Sequence, residues 1–158
     1  MSLDFTDKVV IVTGAGGGLG KSHALDFARR GAKVVVNDLG GSVDGSAGTS
    51  EAAQGVVDEI LAAGGTAIAN GSSVTDDAGV ANMISQTMDA FGRIDVLVNN
   101  AGVLRDKSFA KMEIDDFTFV VDVHLFGTLK PTKAVWPIMK EQGYGRIMVT
   151  SSSSGLYG

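Results

Sequence analysis

The chain has 158 residues, of which 44% are hydrophobic and 20% charged, and a formal net charge of −5 at pH 7. That length and balance make one folded domain with a real core, and the acidic excess argues against an extended nucleic-acid-binding face while leaving room for a local anion site. There is no cysteine, which excludes a disulfide, a thiolate metal site and a cysteine nucleophile, and the two histidines, His23 and His124, are too far apart in sequence to suggest a metal cluster.

Asp4 and Asp7 precede the first apolar run, which is far shorter than a bilayer span. Neither a signal peptide nor a membrane segment is expected, and a cytoplasmic location is the default. A first strand is predicted over 8–13, running into Thr13-Gly14-Ala15-Gly16-Gly17-Gly18-Leu19-Gly20, with a helix over 18–30. An apolar strand that empties into glycines and then a helix is how α/β proteins hold a nucleotide phosphate, with backbone N–H groups and the helix dipole facing the anion. Three spacings compete, beside a plain tight strand–helix turn. GxGxxG fails, because its third glycine would be Leu19 or Lys21. The P-loop GxxxxGK[ST] is matched at Gly20-Lys21-Ser22 but has Ala15 in its first position. TGxxxGxG fits at every fixed position: Thr13, Gly14, Gly18 and Gly20.

The second strand is predicted over 33–37, and Asp38 ends it, 18 residues after Gly20. A carboxylate there accepts hydrogen bonds from ribose hydroxyls and repels a 2′-phosphate. Leu39 follows, where a 2′-phosphate site often has a basic residue, and no Arg or Lys stands in the loop before Gly18, so the pattern favours NAD. The other reading of Asp38 is the start of a turn before Gly40-Gly41. Residues 40–50 are rich in glycine and serine and read as a solvated loop. Further helices are predicted over 50–63, 76–91 and 113–141, and further strands over 66–70, 94–98 and 145–150. This alternation predicts βαβ units in a parallel sheet, a Rossmann-type doubly wound α/β fold with ligands at the carboxyl ends of the strands. In the last helix Phe117, Val121, His124, Leu125, Thr128, Val135 and Met139 approximate one face. Pro131 and Pro137 should kink or interrupt it, giving one bent helix or two abutting ones.

Asn99-Asn100-Ala101-Gly102 follows the fourth strand. With this corner and the TGxxxGxG loop in the right order, the chain resembles the classical short-chain dehydrogenase/reductase family over its whole length. The resemblance implies hydride transfer between NAD and an alcohol or carbonyl carbon, the cofactor supplying the chemistry and the protein polarising the oxygen. It implies cofactor contacts from Thr13, Gly14, Gly18, Leu19, Gly20, Asp38, Leu39, Asn100, Ala101 and Gly102. Ser73 and Val74 stand where the family seats adenine, with Ser72 and Ser73 in place of its usual Asp-like residue. Ser152 aligns with the family's catalytic serine, Ser151 and Ser153 being the other choices, and it would orient the substrate oxygen. His124 replaces the asparagine of the family's proton relay, either relaying a proton or simply packing. The acid–base pair Tyr-x-x-x-Lys is expected beyond Gly158, since Tyr157 lies too close to Ser152. Residues 1–158 are therefore expected to be one NAD-binding domain, the N-terminal part of a longer dehydrogenase domain whose sheet is cut after the fifth strand, and to be inactive alone. A homo-oligomer paired through the long helix is also implied.

A narrower resemblance lies in the strings at 34–41, 99–109, 123–127, 144–147 and 154–158, which are similar to those of (3R)-hydroxyacyl-CoA dehydrogenase domains of multifunctional β-oxidation enzymes. His124 is typical of that subgroup, whereas Pro131 and the serine run 151–154 depart from it. The implied partner is a small-molecule alcohol, ketone or acyl-CoA, with no nucleic acid, membrane or metal. Two other readings stay open: a P-loop nucleotidase with Lys21 on phosphates and Ser22 on magnesium, and a non-catalytic nucleotide-binding module.

Overall fold

The computed structural model describes residues 3–40 and 51–157. Strands β1 (Val9–Thr13), β2 (Lys33–Asn37), β3 (Thr66–Asn70), β4 (Val96–Asn99) and β5 (Arg146–Val149) form one sheet in the order β3-β2-β1-β4-β5. All neighbouring pairs are parallel, with Val10 opposite Val34 on one side and Val96 on the other. The connecting helices are α1 (Gly18–Arg29), α2 (Glu51–Ala62), α3 (Asp77–Phe91), α4 (Ile114–Val121) and α5 (Gly127–Gln142), and a short α6 (Ser154–Tyr157) follows β5. This is the expected Rossmann-type sheet, with strand bounds within one or two residues of the sequence reading. From residue 41 onward, the predicted 40–50 loop lies outside the described residues.

β1, β2 and β4 read as continuous apolar runs because the sheet is covered on both faces there, whereas β5 at the edge is largely exposed. Side chains still alternate. Val10, Val12, Val34, Val36, Val96 and Val98 pack with α1 and α2 residues such as Ala24, Val56 and Ile60. Ile11, Val35 and Leu97 pack with Met83 of α3 and with Val135 and Met139 of α5. The chain leaves β1 for β2 on one side and reaches β4 on the other. The point where the order reverses opens a crevice at the carboxyl ends of β1 and β4.

The long helix departs from expectation. Pro131 and Pro137 both lie inside α5, and neither ends it. The irregularity is instead a π-helical turn, Asp122–Phe126, between α4 and α5, where the Gly127 N–H reaches back to the Asp122 carbonyl. Pro137 lies on the exposed side, where water can satisfy the carbonyl it leaves. The inserted residue also rotates the faces. The buried stripe is Val123, Gly127, Pro131, Val135 and Met139, at steps of four. Phe117, His124 and Leu125, predicted to share one face with Val135 and Met139, are exposed while those two are buried.

Candidate functional site

Thr13 is fully buried at the end of β1. Its hydroxyl accepts the N–H groups of Asn100 (3.0 Å) and Ala101 (3.1 Å) and lies 3.4 Å from the Val98 carbonyl, to which it donates. The Asn100 amide donates back to the carbonyls of Thr13 and Gly14, both at 3.1 Å. The glycine loop and the Asn99–Gly102 corner are thus one hydrogen-bonded unit. Two glycines are required by it. A Cβ on Gly20 would stand 2.2 Å from the Gly14 carbonyl oxygen, and one on Gly14, which has φ +62°, would stand 2.8 Å from Ala101 Cα. Gly17 and Gly18 differ: a Cβ there would meet nothing within 4 Å, and both line the cleft.

That cleft has a volume of about 430 Å³ and runs from Gly14, Gly17 and Gly18 past Asp38 and Leu39 to Ser73, Val74, Ala101 and Gly102. Asp38 stands at its wall. One carboxylate oxygen accepts the Gly16 N–H and the other the Gly40 N–H, each at 2.7 Å. A Cβ on Gly16 would come within 2.8 Å of both the Asp38 oxygen and Ala52 Cβ, so a side chain there would displace one of them. On the far wall, Ser73 Oγ accepts the Thr75 N–H at 3.2 Å and shares a 2.9 Å bond with the Thr75 hydroxyl, making a tight turn. Leu19 is exposed and, like buried Gly20, does not line the cleft. α1 has Gly17 at its N-cap, with no side-chain cap and no acidic residue in its first turn, which leaves its positive end to an anion. The parts suit a dinucleotide: a glycine-walled helix start for the pyrophosphate, a carboxylate for a ribose and a small-residue corner between them.

The chain matches the short chain dehydrogenase family over residues 8–158. It belongs to the short-chain dehydrogenase family. It is 57% identical over 158 residues to peroxisomal multifunctional enzyme A of Dictyostelium discoideum, covering 100% of this chain and 35% of that protein. To the peroxisomal hydratase-dehydrogenase-epimerase of Saccharomyces cerevisiae it is 56% identical over 157 residues, 99% of this chain and 17% of that one. A solved 7α-hydroxysteroid dehydrogenase, complexed with NADH and 7-oxo glycochenodeoxycholic acid, superposes with a TM-score of 0.89 at 33% identity, over 98% of this chain and 57% of that one. The chain thus spans about a third or less of these curated relatives.

His124 and Ser152, the other positions named from the family resemblance, are not among the residues that line the cleft. His124 sits in the π-helical turn, its ring against Gly102, where a Cβ would come within 2.8 Å of Cε1. Its Nε2 lies 3.1 Å from the Val103 nitrogen and 2.9 Å from the Val103 oxygen, accepting from one or donating to the other according to tautomer. Ser152 is exposed in the turn after β5 and its carbonyl accepts the Gly155 N–H. The Thr150 N–H donates to the Asn99 carbonyl, which brings this turn to the same end of the sheet. Asn99 donates to the Thr132 hydroxyl at 3.1 Å, and its Oδ1 is buried without a partner among the described residues.

The P-loop alternative is not favoured. Lys21 turns away from the loop to Glu59 of α2 at 2.7 Å, and Ser22 lines a small groove between α1 and α2. The sequence patterns did not point to the residues behind the Ser72–Thr75 wall of the cleft. Asn37 donates to Asn70 Oδ1 (2.7 Å) and to the Ser72 carbonyl (2.8 Å), while Asn70 donates to Asn82 and Gln86. Three asparagines and a glutamine in strands and helices otherwise rich in apolar residues were the available signal. Lys130, whose ammonium reaches the Thr75 carbonyl, left none.

Proposed function

We propose that the chain carries the cofactor half of an NAD-dependent alcohol/ketone oxidoreductase site, acting on a 3-hydroxyacyl-CoA. The observation that carries this reading is the placement of Asp38. Both its oxygens accept backbone N–H groups, which orients the carboxylate at the cleft wall with lone pairs left for ribose hydroxyls. A 2′-phosphate there would meet this charge, and no Lys or Arg is among the described residues that line the cleft to offset it. Nicotinamide, when bound, takes or gives the hydride. Around it, Thr13 ties the loop to the corner, and Gly14, Gly18, Asn100, Ala101 and Gly102 shape the space. Ser152 is assigned to hold the substrate oxygen. His124 is assigned to the proton path, its ring oriented by Val103. The thioester substrate follows from the likeness to multifunctional enzymes and hydratase-dehydrogenase-epimerases.

Fluorescence titration of the full chain with NADH and NADPH tests the cofactor. NADH is expected to bind at least about tenfold more tightly, and Asp38→Asn to narrow that preference. Tighter NADPH binding by the unaltered protein would overturn the reading. The substrate is tested by equilibrium binding to the NADH-loaded chain: a (3R)-hydroxyacyl-CoA is expected to bind at least about tenfold more tightly than a simple secondary alcohol, and equal binding of the two would overturn the thioester assignment. We extend the proposal to a homo-oligomer paired through α4 and α5, whose outward side exposes Ile114, Phe117, Leu125, Leu129 and Trp136.

A further inference from the structure

The wall of the cleft at Ser72–Thr75 is held from two directions. On the strand side Asn37 binds the Ser72 carbonyl and Asn70 Oδ1 accepts the Ser72 N–H at 3.1 Å. On the helix side stands Lys130 of α5, whose Nζ donates to the Thr75 carbonyl at 2.7 Å and lies 2.8 Å from Asp77 Oδ1. One turn earlier on α5, Gly127 lets Val74 lie close, since a Cβ there would come 2.8 Å from Val74 Cγ2. Asp77 is 86% exposed, so its ion pair with Lys130 contributes little. The charge-assisted bond to the carbonyl is the stronger of the two. Ser72 donates its hydroxyl to Asn82 at 3.0 Å, which fixes the direction in which its oxygen can accept. The backbone of this wall and the Val74 side chain line the cleft beside it, and their placement shapes the fit.

We propose that Lys130 is a positioning residue that sets the adenosine half of the cofactor site, by holding the Thr75 carbonyl and so seating Val74 against Gly127. The inference rests on the NAD reading above. Among the described residues Lys130 makes its polar contacts to the Thr75 carbonyl and to Asp77 at the start of α3, both at the adenosine end of the cleft, so its loss acts on one end of the dinucleotide. The probes are NADH, AMP, and reduced nicotinamide mononucleotide, which lacks the adenosine. In the full chain Lys130→Ala is expected to weaken NADH and AMP each by about tenfold and to leave the mononucleotide within about twofold. Lys130→Arg restores most of the loss, Asp77→Asn leaves all three within about twofold, and Gly127→Ala reproduces the adenosine-selective loss by displacing Val74. Equal weakening of NADH and the mononucleotide, or unaltered NADH binding in Lys130→Ala, overturns the inference. If Lys130→Ala does not fold, Lys130→Gln and Gly127→Ala carry the same comparison with the same outcomes. A wild-type chain that fails to bind NADH overturns the NAD reading and this inference with it, whereas wild-type binding beside an indifferent Lys130 variant overturns the inference alone.

Discussion

Asp95 has a fully buried side chain just before β4. It accepts the Val9 N–H at 3.0 Å and two Arg93 bonds at 2.7 Å, with Lys8 at 3.6 Å. Burial pushes its carboxyl upward, and the Arg93 hydrogen bonds, the Val9 N–H and the charges of Arg93 and Lys8 outweigh that, holding it below the usual carboxylate range. A depressed carboxyl gives stability that is complete above about pH 5 and is lost as pH falls below about 4. Removing Arg93 moves that loss to higher pH. Asp95→Asn is expected to cost about 2 kcal/mol at pH 7, read from urea melts, and to flatten the acid limb of the stability–pH curve. The glycines separate by the same kind of local reasoning. Gly20→Ala forces its Cβ onto the Gly14 carbonyl and should lower the melting temperature and abolish NADH binding together. Gly17, with φ −161°, accepts a side chain without backbone strain, so Gly17→Ala should leave stability within about 0.5 kcal/mol and weaken only binding.

At the scale of elements, α3 carries the clearest start signal. Asp76 precedes it and accepts the Gly79 N–H at 2.8 Å, and Gly92 ends it at φ +73°. Asp76→Ala is expected to cost about 1 kcal/mol in chemical denaturation. It should also loosen the neighbouring Ser73–Thr75 turn, visible as faster amide exchange there. The helix over 76–91 was legible because cap, period and stop agree. The helix over 113–141 was legible in extent but not in face. One inserted residue at Asp122–Phe126 breaks the 3.6-residue phase, and no local propensity announces a π turn. The prolines pointed to irregularity and misplaced it by a turn. His124 was found as a replaced asparagine, yet its anchoring on Val103 depends on that same turn.

For the whole molecule, coverage of both faces explains why β1, β2 and β4 carry so few polar residues, while the outward side of α4 and α5 carries exposed apolar side chains. Light scattering on the full chain tests the proposed pairing: a dimer or larger assembly is expected, and Leu129→Glu with Trp136→Glu should return it to a monomer. A monomeric wild-type chain would remove the oligomer from the proposal. By itself the sequence determined the strand order of events, β then α, the glycine loop, the Asp38 position and the Asn99–Gly102 corner, because each is set by local backbone sterics and short-range spacing. The tertiary structure alone decided that Thr13 ties loop to corner across a gap of 87 residues, that Lys21 turns to Glu59, and that Lys130 meets Thr75. Those contacts join elements distant in the chain, and their existence depends on how the helices pack over the sheet, which no local pattern encodes.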